Sequence, residues 1–250
     1  VASRTELSEA LARLPRPVAL VPTMGALHAG HAALIAAAHA AAATVVVSIF
    51  VNPRQFASPA DAARYPRSID ADEQIAEAAG AHLLFVPDVD QIYPADEPVP
   101  AIDPGPLAAR LEGASRPGHF AGVATVVSRL FDLVRPDLAF FGEKDAQQVR
   151  VVEWMTELRG DRIAIHRVAT VRDRDGLALS SRNRMLSPTG RAAAANSIPV
   201  ALSLVADASA ARIASVSTLR ALAERVIAAE PSVALRSEEH TSELQSRETI

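Results

Sequence analysis

Short apolar runs alternate with longer stretches that are apolar at helical spacing, and this alternation restricts the chain more than any other feature. The runs are Val18–Val21, Thr44–Val51, Leu83–Val86, Leu138–Phe141 and Ile163–Val168. Between them lie His31–Ala42, Ile69–Ala79, Gly122–Val134 and Gln147–Leu158, each long enough to cross over a sheet as a helix. Repeated strand–helix–strand units predict an α/β fold with a mostly parallel sheet covered on both faces. Ligands of such folds bind beyond the carboxyl ends of the strands, where this chain collects its glycines, histidines and prolines. After Arg182 the pattern becomes helical, with Thr189–Ala206, kinked at Pro199, and Ser217–Ala229. The expected organisation is a first domain over 1–175, a smaller, incomplete C-terminal domain over 176–235, and a tail over 236–250.

Composition narrows the function classes. No Cys occurs among the 250 residues, which excludes a disulfide scaffold, a thiol nucleophile and a thiolate metal site. A net charge of −4 leaves no basic footprint for nucleic acid. Apolar runs are interrupted before membrane-spanning length and the N-terminus has no secretory signal, so the expectation is a soluble cytoplasmic protein with no membrane or nucleic-acid partner. One count singles out a residue: of the 25 basic residues, Lys144 is the only lysine. Lysine presents a compact ammonium to phosphate where arginine presents a rigid fork, so Lys144 is a site candidate before any motif is considered.

Neither end reads as an intact native terminus. The chain starts at Val1 rather than Met, as a processed or cut protein would. From Arg236 the composition turns abruptly polar (RSEEHTSELQSRETI), and Arg236–Ser246 resembles an in-frame translation of a sequencing adapter.

Five loops carry polar chemistry. VPTMGALHAGH leaves the first strand and opens a helix, with Gly25 and Gly30 bracketing His28 and His31 at the N-terminus where anions bind. It mimics a P-loop but ends in His31 and Ala32 instead of Lys and Ser/Thr. SIFVNPRQF sets Asn52 and Gln55 after the second strand, as substrate amides or as turn formers. RYPRSIDAD offers Asp70 and Asp72, either to a hydrated Mg²⁺ or as helix caps. FFGEKDAQQ supplies Gly142, Lys144, Asp145 and Gln148, and DGLALSSRNR supplies Ser180, Ser181 and Arg182. Arg116 and His119 fit a pocket rim, while His39, His82 and His166 read as structural.

PTMGALHAGH, SIFVNPRQF, YPR, FGEKDAQQ and DGLALSSRNR together resemble the pantoate–β-alanine ligase family, in its order and spacing. The resemblance implies a Rossmann-like nucleotidyltransferase fold and homodimers. It also implies that Mg-ATP adenylates pantoate and that β-alanine then displaces AMP. On the same grounds, Met24, Gly25, Ala26, Leu27, His28, Ala29, Gly30 and His31 bind ATP, with His31, His28, Lys144 and Arg182 as the catalytic set. Gly142 and Asp145 take the ribose, Glu143 belongs to the ATP-binding set, Lys144 takes the phosphates and Val171 the adenine edge; Leu179, Ser180, Ser181 and Arg182 form a closing loop. Gln55, Gln148 and Asn52 receive pantoate or β-alanine, and of the acidic cluster only Asp72 receives Mg²⁺. Ala29 and Ala146 depart from the family's usual Glu and Tyr, and the family continues past Leu235, which predicts weak closure and turnover. The alternatives are a catalytically impaired nucleotide-binding fragment and another nucleotidyltransferase.

Overall fold

The computed structural model describes residues 1–211, 215–234 and 245–246. It divides into two compact units, Val1–Ala169 and Thr170–Ile250, so Val171 falls in the second unit rather than the first.

Strands β1 (Val18–Thr23), β2 (Thr44–Ile49), β3 (Leu83–Phe85), β4 (Leu138–Gly142) and β5 (Ala164–Val168) form one sheet in the order β3-β2-β1-β4-β5. Every registered pair within it is parallel. The helices of the first unit are α1 (Arg4–Leu11), α2 (Ala29–Ala41), α3 (Pro59–Arg64), α4 (Ile69–Ala78), α5 (Val89–Ile92), α6 (Glu112–Ser115), α7 (His119–Val134) and α8 (Ala146–Arg159). Alternation along each strand sorts side chains into two layers. Leu20, Val46, Phe85 and Phe141 face a core shared with Phe120, Val127 and Phe131 of α7 and Val152 and Met155 of α8. Ala19, Val21, Val45, Val47 and Phe140 face the opposite core, with Ile35 and Ala38 of α2 and Ala76 of α4. The central strands β1, β2 and β4 are largely buried on both faces, which explains why they read as near-continuous apolar runs, whereas the edge strand β5 is partly exposed and carries His166 and Arg167.

All five predicted strands and the long crossover helices are present. Helix α1 was not anticipated, although Ser3 and Glu6 carry the signal for it: they form a reciprocal capping box at its start. Helix α7 begins at His119, a turn before Gly122.

In the second unit, α9 (Pro188–Ala210) runs through Pro199 as one helix and pairs with α10 (Val216–Ala228). By length and hydropathy alone α9 passes as a membrane-crossing helix. Alanines 193–195, Ile198 and Ala201 bury one of its faces in this unit's core with Leu177, Ile227 and Val233. Val233–Ala234 (β6) pairs antiparallel with Gln245–Ser246 (β7). The remainder of the polar tail after Leu235 lies outside the described residues.

Strand order reverses direction between β1 and β4, which makes their carboxyl ends the place where a crevice opens. The β1–β2 ladder has six registered pairs, whereas β1 and β4 register only at Ala19↔Leu138 and Leu20↔Ala139.

Candidate active site

Three loops meet the crevice, and the one leaving β1 is the most constrained. Gly25 (φ +83°) and Ala26 (φ +51°) are consecutive left-handed residues, a conformation that alanine adopts only under restraint. The restraint is Asp72 of α4, whose Oδ2 accepts the Ala26 N–H at 2.9 Å and whose Oδ1 accepts the Leu27 N–H at 2.6 Å. Asp72 is 1% exposed. Its carboxylate is therefore committed to the backbone, which corrects its reading as a Mg²⁺ ligand; the other expectation, a plain helix cap, also misses its partners.

His28 is the N-cap of α2, and its Nδ1 accepts the Gly30 N–H at 3.1 Å. The His28 N–H in turn donates to Nδ1 of His31 at 3.3 Å, and the two rings lie 4.1 Å apart between centroids. Because each Nδ1 accepts, each neutral ring carries its proton on Nε2. The backbone thus sets both tautomers. Ala29 follows as the exposed first residue of the helix, while Leu27 is buried in the core beneath it.

Burial lowers the pKa of His31 to about 3, helped by the charges of His28 and Lys144 and opposed by Asp145. That coupling brings the β1 and β4 loops together electrostatically. Between about 6.5 and about 3 an unfolded chain binds a proton on this residue that the folded chain refuses, so folding stability drops as pH falls through that window. We expect wild type to lose about 1–2 kcal/mol more stability than His31→Gln between pH 6.5 and 5, allowing for solvent at this half-buried ring. Urea midpoints for both proteins at the two pH values check this; parallel losses would refute the cause assigned to His31.

After β4, Glu143–Asp145 form a 3-10 turn leading into α8. The Lys144 side chain is 19% exposed and spends one of its three N–H groups on Asp145 Oδ1, at 2.9 Å. Gln147 and Gln148 then diverge. The Gln148 side chain is half-buried and makes no hydrogen bond to another described residue. Gln147 is buried, donating to the carbonyls of Leu107 and Arg110 and accepting the Glu112 N–H. It anchors the 105–112 segment, a role that the adjacent pair of glutamines concealed.

After β2, the Asn52 amide is fully occupied. It donates to Gln55 Oε1 and to the Gly122 carbonyl, both at 3.0 Å, and accepts from the Arg54 N–H and the Tyr93 hydroxyl. At 1% exposure Asn52 cannot reach a substrate, which corrects its assignment to pantoate or β-alanine. It orients Gln55 instead: with Oε1 held by Asn52, the Gln55 NH2 faces Met24, whose sulfur is 3.1 Å away. The Tyr93 phenol stays protonated, since burial pushes its pKa up to about 12 against the Arg54 guanidinium stacked 3.9 Å from its ring.

His119, expected at a rim, is 7% exposed and lies 2.9 Å through Nδ1 from the Gln55 carbonyl, to which it donates. Arg116 beside it binds Glu112 at 2.6 Å. Both hold the Gln55 turn from behind. The other histidines are structural: His82 accepts the Val45 N–H and stacks on His39, and His166 stacks on Phe140.

In the second unit, Leu179 donates its N–H to the Val171 carbonyl, and Ser180 caps the 3-10 turn Ser181–Met185 by accepting the Arg182 N–H at 3.3 Å. Ser181 is buried and Arg182 half-buried.

Comparisons with known proteins agree with this geometry. The family model for pantoate–β-alanine ligase matches residues 1–249. Pantothenate synthetase of Agrobacterium fabrum is 48% identical over 230 residues, covering 90% of this chain and 78% of that protein. The enzyme of Rhodococcus jostii is 52% identical over 191 residues, covering 76% of this chain but 61% of its own length. Among solved structures, pantothenate synthetase from Thermus thermophilus superposes with a TM-score of 0.87 at 42% identity, over 98% of this chain and 89% of that one. Pantoate–β-alanine ligase from Francisella tularensis, solved with a β,γ-ATP ligand and β-alanine, superposes with a TM-score of 0.80 at 33% identity, over 94% and 87%. A Rossmann-like sheet opening between β1 and β4, a histidine-capped helix beside a lone lysine, and these matches lead to one assignment: the chain belongs to the pantoate–β-alanine ligase family.

Proposed function

We propose that this chain activates pantoate with ATP and transfers the activated acyl group to β-alanine. The observation that carries the reading is the histidine pair, whose Nε2 is fixed as donor, electrostatically coupled to the ammonium of Lys144, while the amide of Gln55 is held after the neighbouring strand β2 beside Met24 of the β1 loop. In the first step a carboxylate oxygen of pantoate attacks the α-phosphorus of ATP and pyrophosphate leaves. In the second, the amine of β-alanine attacks the acyl carbon, AMP leaves with the electron pair of the broken C–O bond, and the amine gives up a proton. No covalent bond to the protein is required.

The work of the protein is then positioning and charge stabilisation. Gln55 and Gln148 hold pantoate; Gly142 and Asp145 hold the ribose; His28, His31 and Lys144 neutralise charge on the departing phosphates. His31 acts as a neutral hydrogen-bond donor at physiological pH, because its pKa lies near 3. Roles for Val171 and Leu179–Arg182 in ATP binding rest on the family resemblance alone.

Among the described residues no set of three His, Asp or Glu side chains is placed to hold a metal, and Asp72 is committed elsewhere. The described residues therefore offer no cage of their own for Mg²⁺. The ion fits this reading only as the hydrated counter-ion that ATP brings with it, held through phosphate oxygens. A cytoplasmic homodimer remains part of the proposal, tested for assembly by light scattering in solution.

Pyrophosphate release from Mg-ATP, with and without pantoate and with β-alanine omitted, tests the reading. Release that requires pantoate is expected, followed by faster turnover when β-alanine is added. Release indifferent to pantoate would mean another acid is the substrate, and saturable ATP binding without release would mean a nucleotide-binding module.

A further inference from the structure

We propose that Asp72 is a positioning residue for the ATP site, acting through the backbone of the loop that leaves β1. This rests on the reading of that loop as the nucleotide loop. Two successive left-handed residues turn the N–H groups of Ala26 and Leu27 to one side, a concavity of the kind that proteins use to bind anions. Here an internal carboxylate fills it. Asp72 lies on α4, in another crossover of the sheet, and takes both N–H groups at 2.9 and 2.6 Å while almost wholly buried. It sits in the first turn of its own helix, where the helix dipole favours a negative charge.

The fit is close on every side. A Cβ built on Gly25 would lie 2.9 Å from Asp72 Oδ2 and 3.0 Å from Ile49, so the carboxylate also fills the space that glycine leaves. The residue following the clamped Leu27 is His28, whose own N–H and Nδ1 set the tautomers of the histidine pair. Asp72 thus fixes where α2 starts, and through that start it fixes the direction of both Nε2–H groups. Because the Ala26 and Leu27 N–H groups are spent internally, phosphate charge falls to the histidines and Lys144, and their placement governs nucleotide affinity.

The test compares the full-length chain with Asp72→Asn, which keeps the side chain's size but sets an NH2 donor against one of the two backbone donors. Loss of one charge-assisted hydrogen bond of this kind should weaken Mg-ATP binding by ~10-fold or more, with pantoate affinity changed by less than about 2-fold, since Gln55 is held by separate partners. Nitrogen NMR of 15N-histidine-labelled protein should show Nε2–H tautomers for His28 and His31 in wild type and mixed tautomers in the variant. Excess Mg²⁺ should not restore ATP affinity; restoration would make Asp72 a metal ligand and overturn the proposal. Equal weakening of ATP and pantoate would reduce Asp72 to a general structural role and overturn it too. Should Asp72→Asn fail to fold, Gly25→Ala disturbs the same contact from the other side and should show the same ATP-selective loss. If wild type binds no Mg-ATP, the nucleotide reading fails by itself, and the tautomer comparison still decides whether Asp72 sets the histidines.

Discussion

Lys144→Ala should lower kcat/KM for ATP by ~10²–10³-fold, the range found when one preorganised donor is removed from a site where charge develops. Pantoate KM should change far less, because the Gln55 amide is held by Asn52 and not by the lysine. The ammonium is held 2.9 Å from Asp145 with its side chain 19% exposed, so its charge acts in a medium that screens it less than bulk water would. Lys144→Arg should recover little: the planar guanidinium is larger, and its fork cannot replace a point charge already engaged by a neighbouring carboxylate. In a chain that otherwise uses Arg for all 24 of its remaining basic side chains, that non-equivalence would account for the one lysine. Steady-state pyrophosphate release checks both variants, and a Lys144→Arg protein within threefold of wild type would refute the argument from shape.

The second large effect is expected at Gly122. A Cβ there would lie 2.3 Å from the Arg54 carbonyl oxygen and 2.8 Å from the Gln55 N–H nitrogen. Both obstacles are backbone, so neither can swing aside, and α7 must move away from the turn after β2. Overpacking of this kind costs ~1–3 kcal/mol, and at roughly 2–4 °C per kcal/mol for a chain of this size the Gly122→Ala protein should melt several degrees lower. The same movement withdraws the Gly122 carbonyl from Asn52, so pantoate KM should rise by ~10-fold as Gln55 loses its fixed orientation, while ATP affinity is retained. Thermal unfolding and KM for each substrate would show this pattern; a variant with lowered Tm but unchanged pantoate KM would separate the packing from the site.

The central strands were legible because a strand buried on both faces is apolar at nearly every position, and such runs stand out against an alanine-rich background; the run that holds the edge strand β5 was legible from its isoleucines and valine in spite of His166 and Arg167. The polar loops were legible as residue types at strand ends. What each polar atom does was less so. In the sequence Asn52 reads as a substrate amide or a turn former and Asp72 as a metal ligand or a helix cap; Asn52 does cap the turn after β2 by accepting the Arg54 N–H, and it and Asp72 also bind backbone groups far along the chain. These distant partners lie on other crossovers, at sequence separations of 70 residues for Asn52 with Gly122 and 46 for Asp72 with Ala26, and no local pattern announces such pairings. Gln147 and Gln148 make the same point at one residue's distance: helical geometry turns the first into the protein and leaves the side chain of the second half-buried, without a hydrogen bond to a described neighbour. Helix α1 is a different kind of omission, since the capping pair Ser3 and Glu6 was in plain view.

The contact between Gly122 and the Arg54–Gln55 backbone also bears on how far this pocket could be re-engineered for other acids. Most binding pockets are reshaped by exchanging the side chains that line them. Here the Gln55 amide proposed to hold the acid is aimed by Asn52, Asn52 is aimed by a main-chain carbonyl of α7, and α7 rests directly on the main chain of the turn. Widening the pocket for a bulkier acid would mean rerouting a helix whose other side fills the core, so variants selected for new acids should carry changes along α7 as well as at Gln55.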